Sequence, residues 1–265
     1  MTDAQRKLET FIKIRADLSG AESVFWWTGN IYSYIPGERS QRLFSFEGFN
    51  VARIIRAEGG YQMLTREAAF YKDPTTGEIL EHWHNPLNEC KVEVVHVWND
   101  PVNQQFMAQS ERGPFSVPSE DLGNGATCYY FDALLAYPSP LPRAEYPLNS
   151  QNDLYQGAEL FQFFVQNEDF DEDSSDVPCA ISWTRLGPWL PWMEMADAPG
   201  NVLYQCRGAK LKGGYEGLSE QIRSYVETHH PEYQHPPETF TKPNETSWTY
   251  FKKGKFRGPS EGSSE

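Results

Sequence analysis

Three histidines lie close together in one stretch of the sequence. His82 and His84 are separated by one residue, and His96 follows in a neighbouring apolar segment. If residues 78–84 and 91–98 form the two strands of a hairpin, alternate side chains of each strand share one face of the sheet. The three imidazoles then lie roughly 5–8 Å apart. Because imidazole titrates near neutral pH, these histidines are candidate acid–base catalysts.

Two other interpretations of this hairpin remain open. Three imidazoles on adjacent strands can bind a zinc ion with an open fourth position, as in a zinc-dependent hydrolase or hydratase. The histidines can also be surface or hydrogen-bonded groups without a catalytic role, and we prefer this interpretation to a metal site. Any shared site requires a loop centred near Asn88, because a shift of one residue in the register moves side chains to the opposite face.

A second candidate site is the segment of residues 182–195, which is rich in tryptophan and methionine. Pro188 and Pro191 prevent a regular helix across it. The segment is predicted either to cover a bound aromatic or isoprenoid ligand as a lid, or to close one end of a barrel as a hydrophobic plug. Arg185 is able to pair with a ligand carboxylate or phenolate. The candidate ligand-binding side chains here are Trp183, Trp189, Trp192 and Met193.

Further candidate residues, and the absence of several catalytic motifs, limit the reactions that the sequence predicts. Tyr130 joins Arg185 as a candidate donor to a developing oxyanion, and Trp83 and Trp98 are candidates for the wall of the ligand site. The sequence contains no G-x-S-x-G elbow, phosphate-binding loop, dinucleotide glycine fingerprint or H-E-x-x-H pair. We therefore predict chemistry that uses no cofactor.

The elements expected to position these residues are mostly strands. A capping box that begins at Thr2 precedes a short N-terminal helix. Aromatic and β-branched residues, interrupted by glycine and proline turns, then predict successive strands. Residues 217–230 have the periodicity of a C-terminal helix. The predicted fold is mainly β, an antiparallel β-barrel or strongly curved sheet of the calycin type with a short N-terminal and a C-terminal helix.

The composition favours one domain with an aromatic core. The chain has 265 residues, of which 14% are aromatic, and a formal net charge of −14. An acidic surface repels phosphate backbones and anionic membrane surfaces, so nucleic acid and membranes are not expected partners. We predict a single β-rich domain over residues 1–251 and a flexible tail at residues 252–265.

The predicted location is the cytoplasm. The first residues lack the apolar run of a signal peptide, and no segment approaches the length of apolar sequence that crosses a bilayer. The four cysteines are isolated from one another, so we expect them to be buried, reduced thiols. The sequence leaves open whether the protein is a monomer or a homodimer.

Several long stretches of the chain resemble one protein family. They are QRLFSFEGFNVARII, FYKDPTTGEILEHWHNP, VVHVWNDPVN, SWTRLGPWLPWMEM and NETSWTYFKK. Together they are similar to the family called domain of unknown function 1838, which occurs in bacteria and fungi, and they extend from about Leu8 to Phe251. The resemblance implies one domain and points to small-molecule metabolism, but it transfers no site residues.

These observations predict a cofactor-independent lyase or isomerase of specialised metabolism. Dehydration or cyclisation, including a pericyclic cyclisation, of a small hydrophobic aromatic, polyketide or terpenoid substrate fits an apolar pocket that excludes water. The first alternative is a carrier that binds such a ligand without converting it. The second alternative is the zinc enzyme of the histidine hairpin.

Overall fold

The structure is a computed structural model that describes residues 1–170 and 173–255. Helix α1 (Asp3–Arg15) begins at the capping box, in which Thr2 and Gln5 exchange hydrogen bonds between side chain and backbone. Helices α2 (Glu220–His229) and α3 (Ser247–Lys255) follow the last strand. The strands are β1 (Ser23–Tyr34), β2 (Arg42–Ala57), β3 (Gly60–Lys72), β4 (His82–His84), β5 (Lys91–Glu93), β6 (Val97–Asn99), β7 (Gln104–Met107), β8 (Gln109–Ser110), β9 (Gly113–Pro114), β10 (Ser119–Gly123), β11 (Ala126–Pro138), β12 (Leu154–Gln166), β13 (Ala180–Gly187) and β14 (Asn201–Lys210).

One large antiparallel sheet contains most of the strands. Its order is β10-β11-β12-β13-β14-β1-β2-β3-β6, and β7 also pairs with β3. The ribbons β4–β5 and β8–β9 are separate from it. The prediction of a mainly β, antiparallel fold is therefore confirmed. Within the described residues the strand order does not close on itself.

The two ends of this sheet meet at helix α1. The ring of Phe11 lies 5.8 Å from the ring of Phe106 on β7 and 6.5 Å from the ring of Phe131 on β11. β7 and β11 are near opposite ends of the strand order. Because adjacent strands are about 4.8 Å apart, a flat sheet would separate them by roughly 30 Å. The sheet is therefore curved, and α1 covers its concave face.

The predicted C-terminal helix corresponds to α2, which packs on the other face of the sheet. Its buried residues Ile222 and Val226 belong to one hydrophobic cluster with Phe49 on β2 and Phe70 on β3. The spacing of four residues between Ile222 and Val226 places both side chains on one face of the helix. Curvature and packing together leave the concave face free to enclose a cavity.

The predicted histidine hairpin has a different register. The hairpin of residues 78–98 shortens to the ribbon β4–β5, in which His82 lies opposite Glu93. This register differs by one residue from the register that a loop centred at Asn88 requires, so the predicted shared face is wrong. After β5 the chain leaves the ribbon, and β6 joins β3 in the main sheet. His96 lies in the connection between β5 and β6.

The C-terminal region contains a helix that the sequence did not predict. Helix α3 continues to Lys255 and so includes residues 252–255 of the predicted tail. Residues 256–265 of that tail lie outside the described residues. None of the helices in residues 1–170 and 173–255 is both long enough and apolar enough to span a bilayer.

Candidate functional site

The concave face of the sheet encloses a cavity of about 370 Å³. Successive side chains of a strand point to opposite faces, so every second residue faces the cavity. On β3, for example, the cavity is lined by Thr65, Glu67, Ala69 and Tyr71. The volume lies at the lower end of the range for small-molecule sites, roughly 300–1,000 Å³. The cavity is therefore large enough for one small ligand.

Aromatic rings form much of the cavity wall. Phe161 is stacked against Phe163 and against Trp183, with ring centroids 6.2 Å and 6.0 Å away. Phe46 meets Tyr204 edge to face at 5.2 Å. All five rings line the cavity. Such a wall favours a ligand with a flat or branched apolar body.

Glu67 places a carboxyl group inside this apolar cavity. It lies opposite Asn99 on β6, whose side-chain amide donates a 3.1 Å hydrogen bond to Glu67 Oε1. Two more polar atoms of cavity-lining residues near Glu67, Asn99 Oδ1 and Thr65 Oγ1, are buried and have no hydrogen-bond partner among the described residues. Buried polar atoms normally have partners, and a bound ligand or water molecule is one way to supply them.

The surroundings of Glu67 raise its pKa to about 7. Burial has the largest effect, and the negative charge of Glu159 adds to it. The hydrogen bond from Asn99 and the positive charges of Arg185 and Arg15 lower the pKa and oppose this rise. At neutral pH both protonation states of the carboxyl group are therefore populated, which is the property that a general acid–base catalyst needs.

Arg185 on β13 is a second charged group of the cavity. Its Nη2 donates a 2.7 Å hydrogen bond to the phenol oxygen of Tyr155, and its Nε lies 3.4 Å from Glu159 Oε1. The guanidinium also lies over the rings of Tyr204 and Trp248, at 4.9 Å and 5.7 Å from the centroids. These contacts hold a positive charge at a fixed place in the wall, where it can stabilise a developing oxyanion.

Arg15, the last residue of α1, also lines the cavity. Its guanidinium lies over the rings of Phe25 and Phe163, at 5.1 Å and 5.4 Å from the centroids. Within residues 1–170 and 173–255, the Arg15 side chain makes no hydrogen bond and no ion pair. The cavity therefore contains one arginine with polar partners and one whose contacts are aromatic.

Two tryptophans of the wall have unpaired donors. The Nε1 atoms of Trp27 and Trp183 are buried and find no hydrogen-bond acceptor in the described part of the chain, and the two rings are 6.1 Å apart. Gly48 on β2 makes room for the first of these rings, since a Cβ at this position would lie 2.8 Å from Trp27 Nε1. The wall thus combines apolar surface with donors that protein groups leave unsatisfied.

The structure brings only part of the predicted site to the cavity. Arg185 and Trp183 line it. His82 and His84 are instead exposed on the β4–β5 ribbon. Among the residues that the structure describes, no three His, Cys, Asp or Glu side chains are grouped so that they could hold a metal ion, and the zinc triad of His82, His84 and His96 does not form.

His96 is buried behind the cavity wall. Its Nδ1 accepts a 3.2 Å hydrogen bond from the backbone N–H of Tyr71, and its ring stacks on the Tyr71 ring at 6.0 Å. Burial, together with the nearby charge of His229, lowers the pKa of His96 to about 3. His96 is therefore neutral near pH 7 and does not line the cavity, so its position supports Tyr71 and not a role in proton transfer.

Three other predicted residues lie away from the cavity lining. Tyr130 is a surface residue whose phenol group donates a 2.5 Å hydrogen bond to Glu120. Trp98 packs against Tyr233 on the α2 side of the sheet, with centroids 5.1 Å apart. Trp83 is half-buried and packs 4.6 Å from the ring of Phe44. None of the three borders the cavity in the described part of the chain.

The tryptophan-rich segment of residues 182–195 divides into two parts. The first part belongs to β13 and supplies the cavity with Trp183 and Arg185. The second part forms a short 3-10 turn at Pro191–Met193 and is packed into the core. Burial of this part in the core is the position expected of a plug, and its Leu190 also lines the cavity. Its buried predicted residues are Trp189, Trp192 and Met193.

Sequence reasoning missed Glu67, Tyr155 and Arg15. A signal for Glu67 was present, because Arg66 and Glu67 are adjacent in a strand of otherwise mostly apolar residues. Adjacent side chains of a strand point to opposite faces, so one of these two charged residues has to face inward. The sequence does not reveal which face is inward, and the partner residue Asn99 lies more than thirty positions away in a strand of only three residues.

Comparison with known families finds a family whose model covers most of the chain. A family model described as "Protein of unknown function (DUF1838)" matches residues 20–255. The matched part includes Glu67 and Arg185, whereas helix α1 with Arg15 precedes it. A comparison with curated proteins finds no match.

Proposed function

Because the chain belongs to the DUF1838 family, whose description assigns no activity, we propose a function from the cavity itself. The proposed function is that of a cofactor-independent lyase or isomerase that acts on a small hydrophobic substrate. The observation that carries this proposal is the carboxyl group of Glu67, which has a pKa of about 7 inside an aromatic cavity that also contains Arg185.

The proposal includes a strongly curved, calycin-like shell around the ligand. The contacts of Phe11 with Phe106 and Phe131 support it, because they join strands from both ends of the sheet across α1. A shell of this kind removes the ligand from water and strengthens the electrostatic interactions inside the cavity. Four free cysteines are typical of a reducing compartment, and the proposed location is the cytoplasm.

In the proposed reaction the carboxylate of Glu67 removes a proton from an acidic C–H or O–H group of the substrate. Arg185, held by Tyr155, stabilises the negative charge that develops on a substrate oxygen. The protonated carboxyl group then returns the proton to a different carbon, which completes an isomerisation. Alternatively it gives the proton to a leaving hydroxyl group, which departs as water and completes a dehydration.

The proposed substrates are aromatic, polyketide or terpenoid compounds of specialised metabolism. A volume of about 370 Å³ limits them to small molecules. The stacked rings of Phe161 and Trp183 favour an unsaturated or branched apolar body. A carrier for such a ligand would use the same wall, but it would have no need of a carboxyl group that titrates near pH 7.

The experiment that tests the proposal begins with native mass spectrometry of the protein purified from its own host, which identifies a co-purifying compound. That compound is then incubated with the wild-type protein and with Glu67→Gln, and products are separated by liquid chromatography. We expect turnover to fall by roughly 100-fold or more in the variant while ligand affinity is retained. Glu58→Gln, at an exposed turn, is the matched control.

Two results would contradict the proposed enzymatic activity. A compound that the wild-type protein binds and never converts would identify a carrier. Equal turnover by the wild-type protein and by Glu67→Gln would show that this carboxyl group does not transfer the proton.

A further inference from the structure

We propose that Arg15 binds an anionic group of the ligand, so that the substrate is a hydrophobic carboxylic acid. The carboxylate lies at the guanidinium of Arg15, and the apolar body lies along the aromatic wall. This inference rests on the proposed function only in requiring that the cavity binds a ligand.

The guanidinium of Arg15 has no hydrogen-bond acceptor among the residues that the structure describes. A guanidinium group carries five N–H donors, and charged groups inside proteins are normally paired. The rings of Phe25 and Phe163 attract the charge but accept no conventional hydrogen bond. Arg15 ends helix α1, where the helix dipole favours a positive charge without satisfying those donors. Burial lowers the pKa of Arg15, which agrees with a charge that is only partly compensated.

Comparison with Arg185 separates the roles of the two arginines. Arg185 has a phenol oxygen at 2.7 Å from Tyr155 and a carboxylate oxygen at 3.4 Å from Glu159. Arg15 has no such oxygen within the described residues. A planar guanidinium fork binds a carboxylate through two parallel hydrogen bonds. A ligand carboxylate therefore supplies at Arg15 what Glu159 and Tyr155 supply at Arg185.

The position of Arg15 places a bound carboxylate beside the aromatic wall and within the electrostatic influence of Glu67. Phe11 lies one helical turn before Arg15, and both side chains line the cavity. The ring of Phe11 meets Phe163 edge to face at 6.1 Å. The charges of Arg15 and Glu67 affect each other's pKa, although they form no ion pair. A carboxylate at Arg15 thus lies within electrostatic range of Glu67.

The test compares two probes of nearly identical shape, 2-naphthoate and its neutral analogue 2-naphthamide. Binding of each probe to the full chain is measured by isothermal titration calorimetry at pH 8. We expect the wild-type protein to prefer the carboxylate by about tenfold or more. The preference disappears in Arg15→Gln and is retained in Arg6→Gln, which removes an exposed arginine of the same helix.

Each outcome has a defined meaning. Equal affinity of the wild-type protein for both probes overturns the anion site and leaves the proposed function standing. A preference that persists in Arg15→Gln overturns it as well. If neither probe binds, the result contradicts the proposal that the cavity binds a hydrophobic ligand, and with it both the proposed function and the anion site. If Arg15→Gln does not fold, Arg15→Leu is measured in its place, because leucine removes the charge and still packs against the rings of Phe25 and Phe163. A carboxylate preference that persists in that variant overturns the assignment.

Discussion

The side-chain amide of Asn99 donates a hydrogen bond to the carboxyl group of Glu67, and the amide oxygen of Asn99 is buried without a partner among the described residues. The two residues are directly paired in the β3–β6 ladder. The backbone of the sheet therefore fixes the distance between them. Because a hydrogen bond to the ionised carboxyl group favours that form, Asn99 opposes the effect of burial on Glu67.

Removing this amide should raise the pKa of Glu67 further. In Asn99→Ala the carboxylate loses a donor that stabilises its charge, whereas burial and the charge of Glu159 are unchanged. We expect the pKa of Glu67 to move above its value of about 7. The titration is followed by NMR of ¹³C-labelled glutamate carboxyl groups, and Glu67→Gln identifies the signal. An unchanged or lower pKa would show that the hydrogen bond does not stabilise the carboxylate.

The carboxyl group of Glu67 should make the folded state less stable as the pH rises. Its pKa is about 7 in the folded protein, against a usual value of 4.5. Between these two pH values the folded state binds more protons than the unfolded state, so the free energy of unfolding falls with rising pH. Glu67→Gln removes this loss. Between pH 4 and pH 8, we expect the free energy of unfolding of the variant to rise by about 3 kcal/mol relative to that of the wild-type protein.

Urea unfolding of both proteins at pH 4 and at pH 8 measures this difference. A free-energy difference between the two proteins that is the same at both pH values would mean that Glu67 has an ordinary pKa. Glu58→Gln, at the exposed turn between β2 and β3, is the matched control.

His96 should affect stability in the opposite direction. Its pKa is about 3 in the folded protein, against a usual value of 6.5. In this interval the unfolded state binds a proton that the folded state does not bind, so stability is lost as the pH falls from 6.5 towards 3. His96→Gln should flatten that part of the stability profile, as measured by urea unfolding. His82→Gln, on the exposed ribbon, is the control, and an equal flattening in the control would contradict the assignment.

The regular elements were predictable because their residue patterns are local. The capping box at Thr2 and Gln5 predicts the start of α1, and the spacing of Ile222 and Val226 predicts the buried face of α2. The long strands follow from aromatic and β-branched residues. The predicted register of the ribbon β4–β5 was wrong by one residue, because three-residue strands have few side chains that specify a register.

The site was less predictable because it combines residues that are distant in the sequence. Arg185 and Trp183 were identified from their composition, and they are neighbours on one face of β13. The importance of Glu67 depends on burial and on charges from β12 and β13. Curvature of the sheet brings these groups to one cavity, and no local pattern encodes that curvature. The histidines were chosen as candidates because imidazole titrates near neutral pH. In the folded protein, burial lowers the pKa of His96 to about 3.

Gly187 should control the position of the Arg185 guanidinium. A Cβ at this residue would lie 3.0 Å from Nη2 and 3.3 Å from Nη1 of Arg185, which is the flexible end of a side chain. Gly187→Ala should therefore fold normally but displace the guanidinium and weaken its 2.7 Å bond to Tyr155. Gly254→Ala is the matched control, because a Cβ there meets no atom within 4 Å.

Two measurements follow the displacement in Gly187→Ala. The Nε–H resonance of Arg185 in a ¹⁵N–¹H spectrum should shift, while that of Arg15 should not. Turnover of the co-purifying compound should fall by roughly tenfold, since loss of one oxyanion donor costs up to about a thousandfold and here the donor is displaced and not removed. A shifted resonance with full turnover would show that Arg185 does not stabilise the oxyanion. A resonance that does not move would contradict the steric contact with Gly187.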